Sequence, residues 1–323
     1  MIRAAGLGWV RVDAPFPWRG RIGDLRPEYA AFRARAVELQ AAGLRVMGVT
    51  PYPRDWQVPQ AAEPGSPTFL DAYRQACAFL ARDLGPLGPA WQVCNEMNLD
   101  LFRRPLDEAQ AVAYLQAGAA GLREGDAAAQ VGVNMAGFGA AALRMYEALY
   151  HGAGGSATLD YAGTDGYFGS WEAGGPEDWP PHLDRLAALT GRPVVVQEFG
   201  YSSAGGVMTD EERRSRANPH HAKKWAHAWS PSPGADRATH TPEIQAVYAT
   251  RCLELFAAHP QVAGVFWYCW SDHERCWQCG APDCPCETAW GLVTMGEHPK
   301  PAYAAYAEAV RGLFARGGAA RGG

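Results

Sequence analysis

The stretch WQVCNEMN, from Trp91 to Asn98, decides the fold and contains the first candidate site residues. Its first half, with Trp, Val and Cys, predicts a short buried strand. Asn95 and Glu96 follow directly, and an unpaired carboxylate costs too much free energy to be buried in a core. We therefore expect Glu96 to lie where the end of the strand opens into a cleft.

A second stretch, RPVVVQEFGYS from Arg192 to Ser202, repeats the pattern of an apolar strand that ends in an acid. Three consecutive valines are typical of a strand that is buried on both faces, and Glu198 follows them. The two glutamates therefore occupy equivalent positions, each at the carboxyl end of a predicted strand.

Strand-like and helix-like segments alternate along the whole chain, which predicts a parallel sheet. Polar residues recur after nearly every predicted strand, and Asp13, Asn134, Asp165 and Asp272 are examples. An open doubly wound sheet would concentrate such residues at one switch point, whereas a (β/α) barrel gathers all its strand ends on one side. We therefore predict an α/β fold of the (β/α)8 TIM-barrel class.

Only seven strands are visible in the sequence, although a closed barrel of this class has eight. The segment Ile2–Gly8 resembles the end of a helix rather than a strand. We therefore expect the first strand to be missing, through a late start in the gene model or a true truncation. The predicted strands are Gly8–Ala14, Leu44–Thr50, Ala90–Glu96, Ala129–Met135, Leu159–Tyr167, Pro193–Phe199 and Val262–Trp270.

One catalytic barrel domain is expected over residues 1–316, because a chain of 323 residues with 48% hydrophobic content supports a sizeable core. The segment 201–241 is too long for a simple connection, and we predict that it forms a lid or wall over the strand ends. Residues 317–323 are rich in glycine and are expected to form a disordered tail.

Composition argues against several classes of partner. The formal net charge of −5 is too mild to indicate nucleic acid or an anionic membrane surface, and no apolar run is long enough to span a bilayer. The N-terminus lacks the basic start, apolar centre and small-residue cleavage site of a signal peptide. The expected location is therefore the cytoplasm.

Glycoside hydrolysis is the chemistry that two such acids indicate. Glu96 and Glu198 are 102 residues apart (198 − 96), which is three strands in order and places them across a barrel from each other. One carboxyl group protonates the leaving oxygen, and the other attacks the anomeric carbon or activates water. A separation of about 5–5.5 Å would make the enzyme retaining.

In these features the sequence resembles clan A of the glycoside hydrolases, which are retaining (β/α)8-barrel enzymes. In that clan an Asn-Glu pair ends strand four and a glutamate ends strand seven, which Asn95-Glu96 and Glu198 match if one strand precedes Trp9. Four further stretches resemble the clan's second, sixth and eighth strands and its usual ending: WVRVDAPFPW (Trp9–Trp18), DGYFGSW (Asp165–Trp171), FWYCWSD (Phe266–Asp272) and WGLVTMGEHPKPAY (Trp290–Tyr303).

The resemblance implies Glu96 as general acid/base, Glu198 as nucleophile and Asn95 as the hydrogen-bond partner of the sugar 2-hydroxyl. It also implies that Arg11 lies near the nucleophile and that Tyr167 hydrogen-bonds to it. These two residues would keep Glu198 ionised, while Glu96 would stay protonated because it is partly desolvated and near a negative charge.

Trp270 is expected to form the floor on which the sugar stacks, with Trp267 turned away to pack against helices. Trp171 and Asp13 complete the expected substrate-binding set. One departure from the clan is Asp165, since many members have a histidine near the tyrosine of the sixth strand. The implied partner is an oligosaccharide, polysaccharide or glycoside, and catalysis needs no cofactor.

Two other functions remain open from the sequence. One is a barrel that binds sugar but does not cleave it, which a test of hydrolysis on aryl β-glycosides would distinguish. The other is a metal-dependent barrel hydrolase, which needs histidine and aspartate ligands at strand ends, and no predicted strand ends in histidine.

The segment 271–288 contains CWQCGAPDCPC, with Cys276, Cys279, Cys284 and Cys286. Its Cys-x-x-Cys-Gly pattern resembles a zinc knuckle, and four thiolates in one short loop suit a tetrahedral structural zinc ion. Two disulfides or free thiols are the alternatives, and disulfides would require export to an oxidising compartment. We expect zinc to make this loop rigid. The other four cysteines lie in apolar segments and are expected to be buried free thiols.

Overall fold

The computed structural model describes residues 1–54, 62–152, 159–215, 217–232 and 239–320, and the side chains of 314–320 are left out of the description. The strands are β1 (Trp9–Asp13), β2 (Arg45–Val49), β3 (Ala90–Gln92), β4 (Gln130–Val133), β5 (Tyr161–Gly166), β6 (Val194–Phe199), β7 (Gly206–Val207), β8 (Lys224–Trp225) and β9 (Val262–Trp267). Seven of them form one parallel sheet in chain order, β1-β2-β3-β4-β5-β6-β9.

Helices occur in every connection between consecutive strands of this sheet. The helices are α1 (Pro27–Ala41), α2 (Pro67–Leu84), α3 (Asp100–Arg103), α4 (Glu108–Gly125), α5 (Ala140–His151), α6 (Trp179–Thr190), α7 (Asp210–Arg214), α8 (Pro219–Ala222), α9 (Pro242–Ala258), α10 (Pro285–Thr288) and α11 (Pro301–Ala320). Within the described residues, none of them is both long and apolar enough to cross a membrane.

The predicted fold class is confirmed: within the described residues, the structure is a TIM barrel with seven of the usual eight strands. All seven predicted strands are present, and the main difference is that β3 ends at Gln92 instead of Glu96. Cys94 and Glu96 have φ angles of 52° and 49°, and a positive φ cannot continue an extended strand. The predicted last strand likewise ends early, at Trp267.

Side-chain caps explain where several helices begin. The Ser66 hydroxyl accepts a hydrogen bond from the amide of Phe69 at 3.3 Å, directly before α2. Asp107 and Gln110 form a reciprocal capping box at the start of α4, with distances of 2.8 and 3.0 Å. These caps satisfy amide groups that have no partner inside the helix.

The chain divides into two compact units. The first unit comprises Met1–Leu7, Gly166–Asp184 and Glu198–Gly323, and the second comprises Gly8–Asp165 and Arg185–Gln197. In the second unit, a buried polar contact links three strands of the sheet. The Gln197 amide donates to the Tyr161 hydroxyl at 3.0 Å, and that hydroxyl donates to the carbonyl of Trp91 at 2.8 Å. The Tyr161 hydroxyl and the Gln197 amide nitrogen are therefore both paired, as burial favours.

Helices α2 and α4 of the second unit approach so closely that only glycine fits at one contact. A Cβ atom at Gly121 in α4 would lie 2.1 Å from the carbonyl oxygen of Arg74 in α2. Because this neighbour is backbone, it cannot move aside as a flexible side chain would. The glycine therefore sets the distance between the two helices.

The first unit contains the segment 201–241, which holds the short elements β7, α7, α8 and β8. Strands β7 and β8 pair in parallel, with Val207 opposite Trp225. Residues 216 and 233–238 of this segment lie outside the described residues. At the end of the chain, α11 is described to Ala320, and the predicted tail over residues 317–323 stays a prediction. Residues 321–323 lie outside the description.

Replacing Gly121 by alanine is expected to destabilise the protein, although alanine is the better helix former. The added methyl group forces α2 and α4 apart, and overpacking of this kind costs about 2 kcal/mol. Urea denaturation measures the change in the free energy of unfolding. The control is Gly20→Ala, at an exposed position where no atom lies within 4 Å of the added Cβ, and its effect should stay within about 0.5 kcal/mol. Equal effects of the two substitutions would contradict this account of the helix contact.

Candidate active site

The backbone turns sharply after β3, and this turn positions the Asn-Glu pair. The amide of Cys94 donates to the Thr50 hydroxyl at 2.9 Å, and the amide of Glu96 donates to Asn134 Oδ1 at 3.1 Å. These bonds hold Cys94 and Glu96 at positive φ, a conformation that is uncommon outside glycine and often marks functional sites. Glu96 is 8% exposed.

The side-chain oxygen of Asn95 accepts three hydrogen bonds. The donors are Arg11 Nη2 at 2.6 Å, Asn134 Nδ2 at 2.7 Å and Gln92 Nε2 at 2.9 Å. Arg11 also donates to Gln92 Oε1 at 2.6 Å, so the guanidinium holds both amide side chains. These three hydrogen bonds fix the orientation of the Asn95 side chain, with its oxygen toward the donors and its amide nitrogen on the opposite side.

Asn134, which follows β4, connects the Asn-Glu pair to a second buried acid. Its Nδ2 donates to Asp165 Oδ2 at 2.5 Å, and Asp165 is fully buried. Carboxylate oxygens of Asp165 and Glu96 lie within 4.8 Å of each other. We name Arg11, Gln92, Asn95, Glu96, Asn134 and Asp165 the Glu96 cluster, and all six belong to the second compact unit.

Asp13 has a different environment from the Glu96 cluster. It is the last residue of β1, where it pairs in register with Val49 and is exposed. Its predicted role in substrate binding stays a prediction. The same holds for the predicted proximity of Arg11 to the nucleophile, since the contacts described for Arg11 are with Gln92 and Asn95.

Glu198, near the end of β6, accepts a short hydrogen bond at Oε2 from the hydroxyl of Tyr167. This is the contact that the sequence resemblance implies for Tyr167, which follows β5 directly. Glu198 is 8% exposed. A buried carboxyl group with a phenol donor is held in one orientation.

Aromatic rings and a third acid surround this contact. The ring of Tyr167 packs against the rings of Trp290 and Tyr268, with centroids 4.9 and 6.0 Å away. The Tyr268 hydroxyl donates to Glu287 Oε2 at 3.3 Å, and Gln278 Nε2 donates to Glu287 Oε1 at 2.9 Å.

Burial of the Glu287 side chain raises the pKa of its carboxyl group to about 7, and the negative charge of Glu198 adds to this. We name Tyr167, Glu198, Tyr268, Glu287 and Trp290 the Glu198 cluster, and all five belong to the first compact unit.

Trp267 and Trp270 both pack against rings of α11. The ring of Trp270 packs edge-on against Tyr303 of α11 at 6.0 Å, and its predicted role as the floor for the sugar stays a prediction. The alternation of strand side chains does not extend to Trp270, because the strand ends at Trp267. Trp267 packs against Tyr306 of α11, which agrees with its predicted orientation.

Trp171 lies beside the cysteine-rich segment. Its ring is half-buried and packs against Trp225 at 5.0 Å and His220 at 5.4 Å. Its predicted role in substrate binding is therefore joined by a structural one, as part of the packing around the cysteines.

The predicted set of four cysteines differs from the set that the structure brings together. Ligand atoms of Cys276, Cys279, Cys284 and His220 lie within 4.8 Å of one another. The sulfur of Cys286 instead approaches the carbonyl of Lys224 at 3.9 Å. Cys286 packs in the same buried cluster as Cys276 and Cys284, but its sulfur is not among the four ligand atoms that converge. The four convergent residues are of types that can hold a metal ion.

Several residues of the two clusters were not assigned from the sequence. Asn134 and Asp165 stand out as polar residues after strands, but nothing in the sequence pairs them with each other. Gln92 and Tyr268 lie inside apolar stretches, where their orientation depends on where the strand stops. Glu287 follows the cysteines and is 89 residues from Glu198 (287 − 198), so only the fold brings them together.

Replacing Glu287 by glutamine is expected to change how stability depends on pH. The carboxyl group has a pKa of about 7 when folded and about 4.3 when unfolded. The protonated carboxyl group therefore stabilises the fold fully below about pH 4, and this contribution is lost as pH rises through 7. The loss amounts to about 4 kcal/mol.

Chemical denaturation at several pH values measures this effect. The Glu287→Gln variant should gain stability relative to the wild type between about pH 4.5 and pH 8. The control is Glu147→Gln, at an exposed position on α5, which should follow the wild-type profile. Parallel curves for wild type and Glu287→Gln would rule out a buried titrating Glu287.

Comparisons with known proteins give structural matches only. No protein-family model and no curated protein matches this chain. A solved structure of a fungal β-1,4-galactanase matches with a TM-score of 0.67 and 14% identity, over 94% of this chain and 89% of that chain.

GH5_18 from Streptomyces cattleya, solved in complex with GlcNAc, matches with a TM-score of 0.67 and 19% identity, over 97% and 73% of the two chains. The GH53 catalytic domain from Ignisphaera aggregans matches with a TM-score of 0.61 and 15% identity, over 94% and 86%. At these identities the likeness concerns the fold alone, which this chain shares with these solved structures.

Proposed function

We propose that this protein hydrolyses β-glycosidic bonds with retention of configuration, with Glu198 as nucleophile and Glu96 as general acid/base. The observation that carries the proposal is the buried Glu198 carboxylate, held by the Tyr167 hydroxyl at the end of a barrel strand. The fold supports the proposal, since solved structures with this fold include a β-1,4-galactanase and an exo-β-1,4-mannosidase.

Glu198 has the properties that a nucleophile for this reaction needs. The Tyr167 hydroxyl donates to Oε2 and so fixes the orientation of the carboxyl group, and a positioned carboxylate can act as a nucleophile. The rings of Tyr268 and Trp290 pack against Tyr167, and Glu198 is 8% exposed. In the first step a carboxylate oxygen attacks the anomeric carbon, and the bond to the leaving oxygen breaks.

Glu96 is suited to the second role because of Asp165. Two carboxyl groups within 4.8 Å do not both ionise easily, so a charge on Asp165 favours the protonated form of Glu96. Protonated Glu96 then gives its proton to the leaving oxygen. In the second step Glu96 takes a proton from water, which attacks the glycosyl-enzyme and frees Glu198.

Asn95 is the proposed partner of the sugar 2-hydroxyl. Its oxygen is occupied by Arg11, Gln92 and Asn134, so the amide nitrogen is the group it offers to a substrate. Hydrogen bonds to the 2-hydroxyl strengthen in the transition state of this reaction. The proposed substrates are oligosaccharides, polysaccharides or glycosides with β linkages, and the proposed reaction uses no cofactor.

Substitution of either glutamate is expected to abolish most hydrolysis of aryl β-glycosides. Glu198→Ala removes the nucleophile and Glu96→Ala removes the acid/base, each lowering kcat by about 10³-fold or more. Azide should restore product formation in both variants. It should give the α-glycosyl azide with Glu198→Ala, through one displacement, and the β-glycosyl azide with Glu96→Ala, through two.

The control is Glu147→Ala, an exposed glutamate on α5, which should keep wild-type activity. Activity that survives both active-site substitutions would remove the assignment. A wild-type protein that binds sugars in calorimetry but cleaves none of a panel of aryl β-glycosides would instead be a sugar-binding barrel.

Tyr167→Phe is expected to lower kcat/KM by roughly 10- to 100-fold. The variant keeps the ring that packs against Trp290 but loses the hydrogen bond to Glu198, and a hydrogen bond to a charged group contributes about 1.5–3 kcal/mol. Steady-state kinetics on an aryl β-glycoside measures the effect, with Tyr303→Phe as control, since Tyr303 lies against Trp270. Unchanged kinetics in Tyr167→Phe would show that the contact has no part in catalysis.

A further inference from the structure

The strongest feature outside the two glutamate clusters is the meeting of three cysteines with one histidine. His220 lies in α8, within the segment 201–241, whereas Cys276, Cys279 and Cys284 lie in the segment 271–288. The Nδ1 atom of His220 is 3.4 Å from the sulfur of Cys276 and 3.6 Å from that of Cys284. The four ligand atoms lie within 4.8 Å of one another.

These distances fit a tetrahedral metal ion. Zinc binds sulfur at about 2.3 Å and imidazole nitrogen at about 2.0 Å, so in a tetrahedron a nitrogen and a sulfur ligand are about 3.5 Å apart. Both measured distances from His220 Nδ1 agree with this value. One ion at the centre would therefore contact all four residues with little rearrangement.

Hydrogen bonds from backbone amides fix the positions of the cysteine and histidine residues on both segments. Cys276 and Cys279 form a tight turn, in which the amide of Gly280 donates to the carbonyl of Cys276 at 2.7 Å. Gly280 has a φ of 75°, which glycine adopts without strain. On the other segment, the Asn218 side chain caps α8 by accepting from the amide of His220 at 2.8 Å, which fixes the histidine.

We propose that Cys276, Cys279, Cys284 and His220 bind one structural zinc ion. All four positions of the tetrahedron are filled by protein, so no position remains for water or substrate, as in structural rather than catalytic zinc sites. This assignment replaces Cys286, expected from the sequence, by His220. It does not depend on the proposed glycosidase activity.

A disulfide accounts less well for this arrangement. It would join two of the three sulfurs and leave one thiol and an imidazole in contact without a bonding role. Zinc uses all four groups. Cys286 is fully buried beside Trp225 and Trp290, where it fills space as a small apolar side chain.

The ion would join two long loops that each lead to the Glu198 cluster. The same loops are also linked by an ion pair between Lys223 and Asp283 and by the packing of Trp225 against Trp290. Gln278, between Cys276 and Cys279, donates to Glu287. The zinc site would therefore fix the loop that places Glu287 and Trp290 beside Tyr167.

Elemental analysis of the purified full-length protein tests the proposal directly. We expect about one zinc per chain in the wild type, and less than about a tenth of this in His220→Ala and Cys279→Ser. The matched control is Cys286→Ser, which should keep its zinc. Loss of zinc from Cys286→Ser but not from His220→Ala would overturn the ligand set.

Two further measurements cover the other outcomes. With zinc replaced by Co²⁺, the absorption should show tetrahedral d–d bands and a thiolate charge-transfer band that weakens by about a third in Cys279→Ser at saturating metal. Thiol titration of denatured, chelator-treated protein should find all eight cysteines of the sequence reduced. Wild-type protein without zinc, or with two thiols fewer, would overturn the proposal.

Discussion

Burial of polar side chains at the carboxyl ends of strands is the constraint on which this structure depends. Every buried acid or amide there must find a partner, because an unpaired polar group in a dry environment is costly. The oxygen of Asn95 shows how this is met, since it accepts from Arg11, Gln92 and Asn134 at once. These donors come from three different strands or strand ends, so the cluster forms only when the sheet has its native register.

The same constraint explains the backbone after β3. A regular strand would turn successive side chains to opposite faces, which would separate Asn95 from Glu96. The positive φ of Cys94 and Glu96 interrupts this alternation. The hydrogen bonds to Thr50 and Asn134 stabilise this backbone conformation. Conformational strain at this position is consistent with selection for the placement of the glutamate rather than for stability.

The two long connecting segments, 201–241 and 271–288, contribute a buried cluster of aromatic and cysteine side chains. The segments 201–241 and 271–288 contribute little regular structure, yet they bury Trp225, Trp290 and Cys284 in one cluster. Loops that make few backbone hydrogen bonds depend on their side chains for order. In these two segments, aromatic packing and the contacts between cysteine and histidine side chains provide it. Glu287 follows Cys286 of this cluster in the chain and is buried. Burial raises the pKa of its carboxyl group.

The sequence by itself determined the fold class, the seven strands and the two glutamates at strand ends. These features are local: apolar runs, helix caps such as Ser66-Pro67, and acids placed directly after strands are readable from neighbours in the chain. Only the tertiary structure decided that Tyr268 and Trp290 lie beside Tyr167, and that His220 meets Cys276, Cys279 and Cys284. Those contacts depend on where a strand stops and on how loops far apart in sequence meet, and periodicity along one chain carries no information about either.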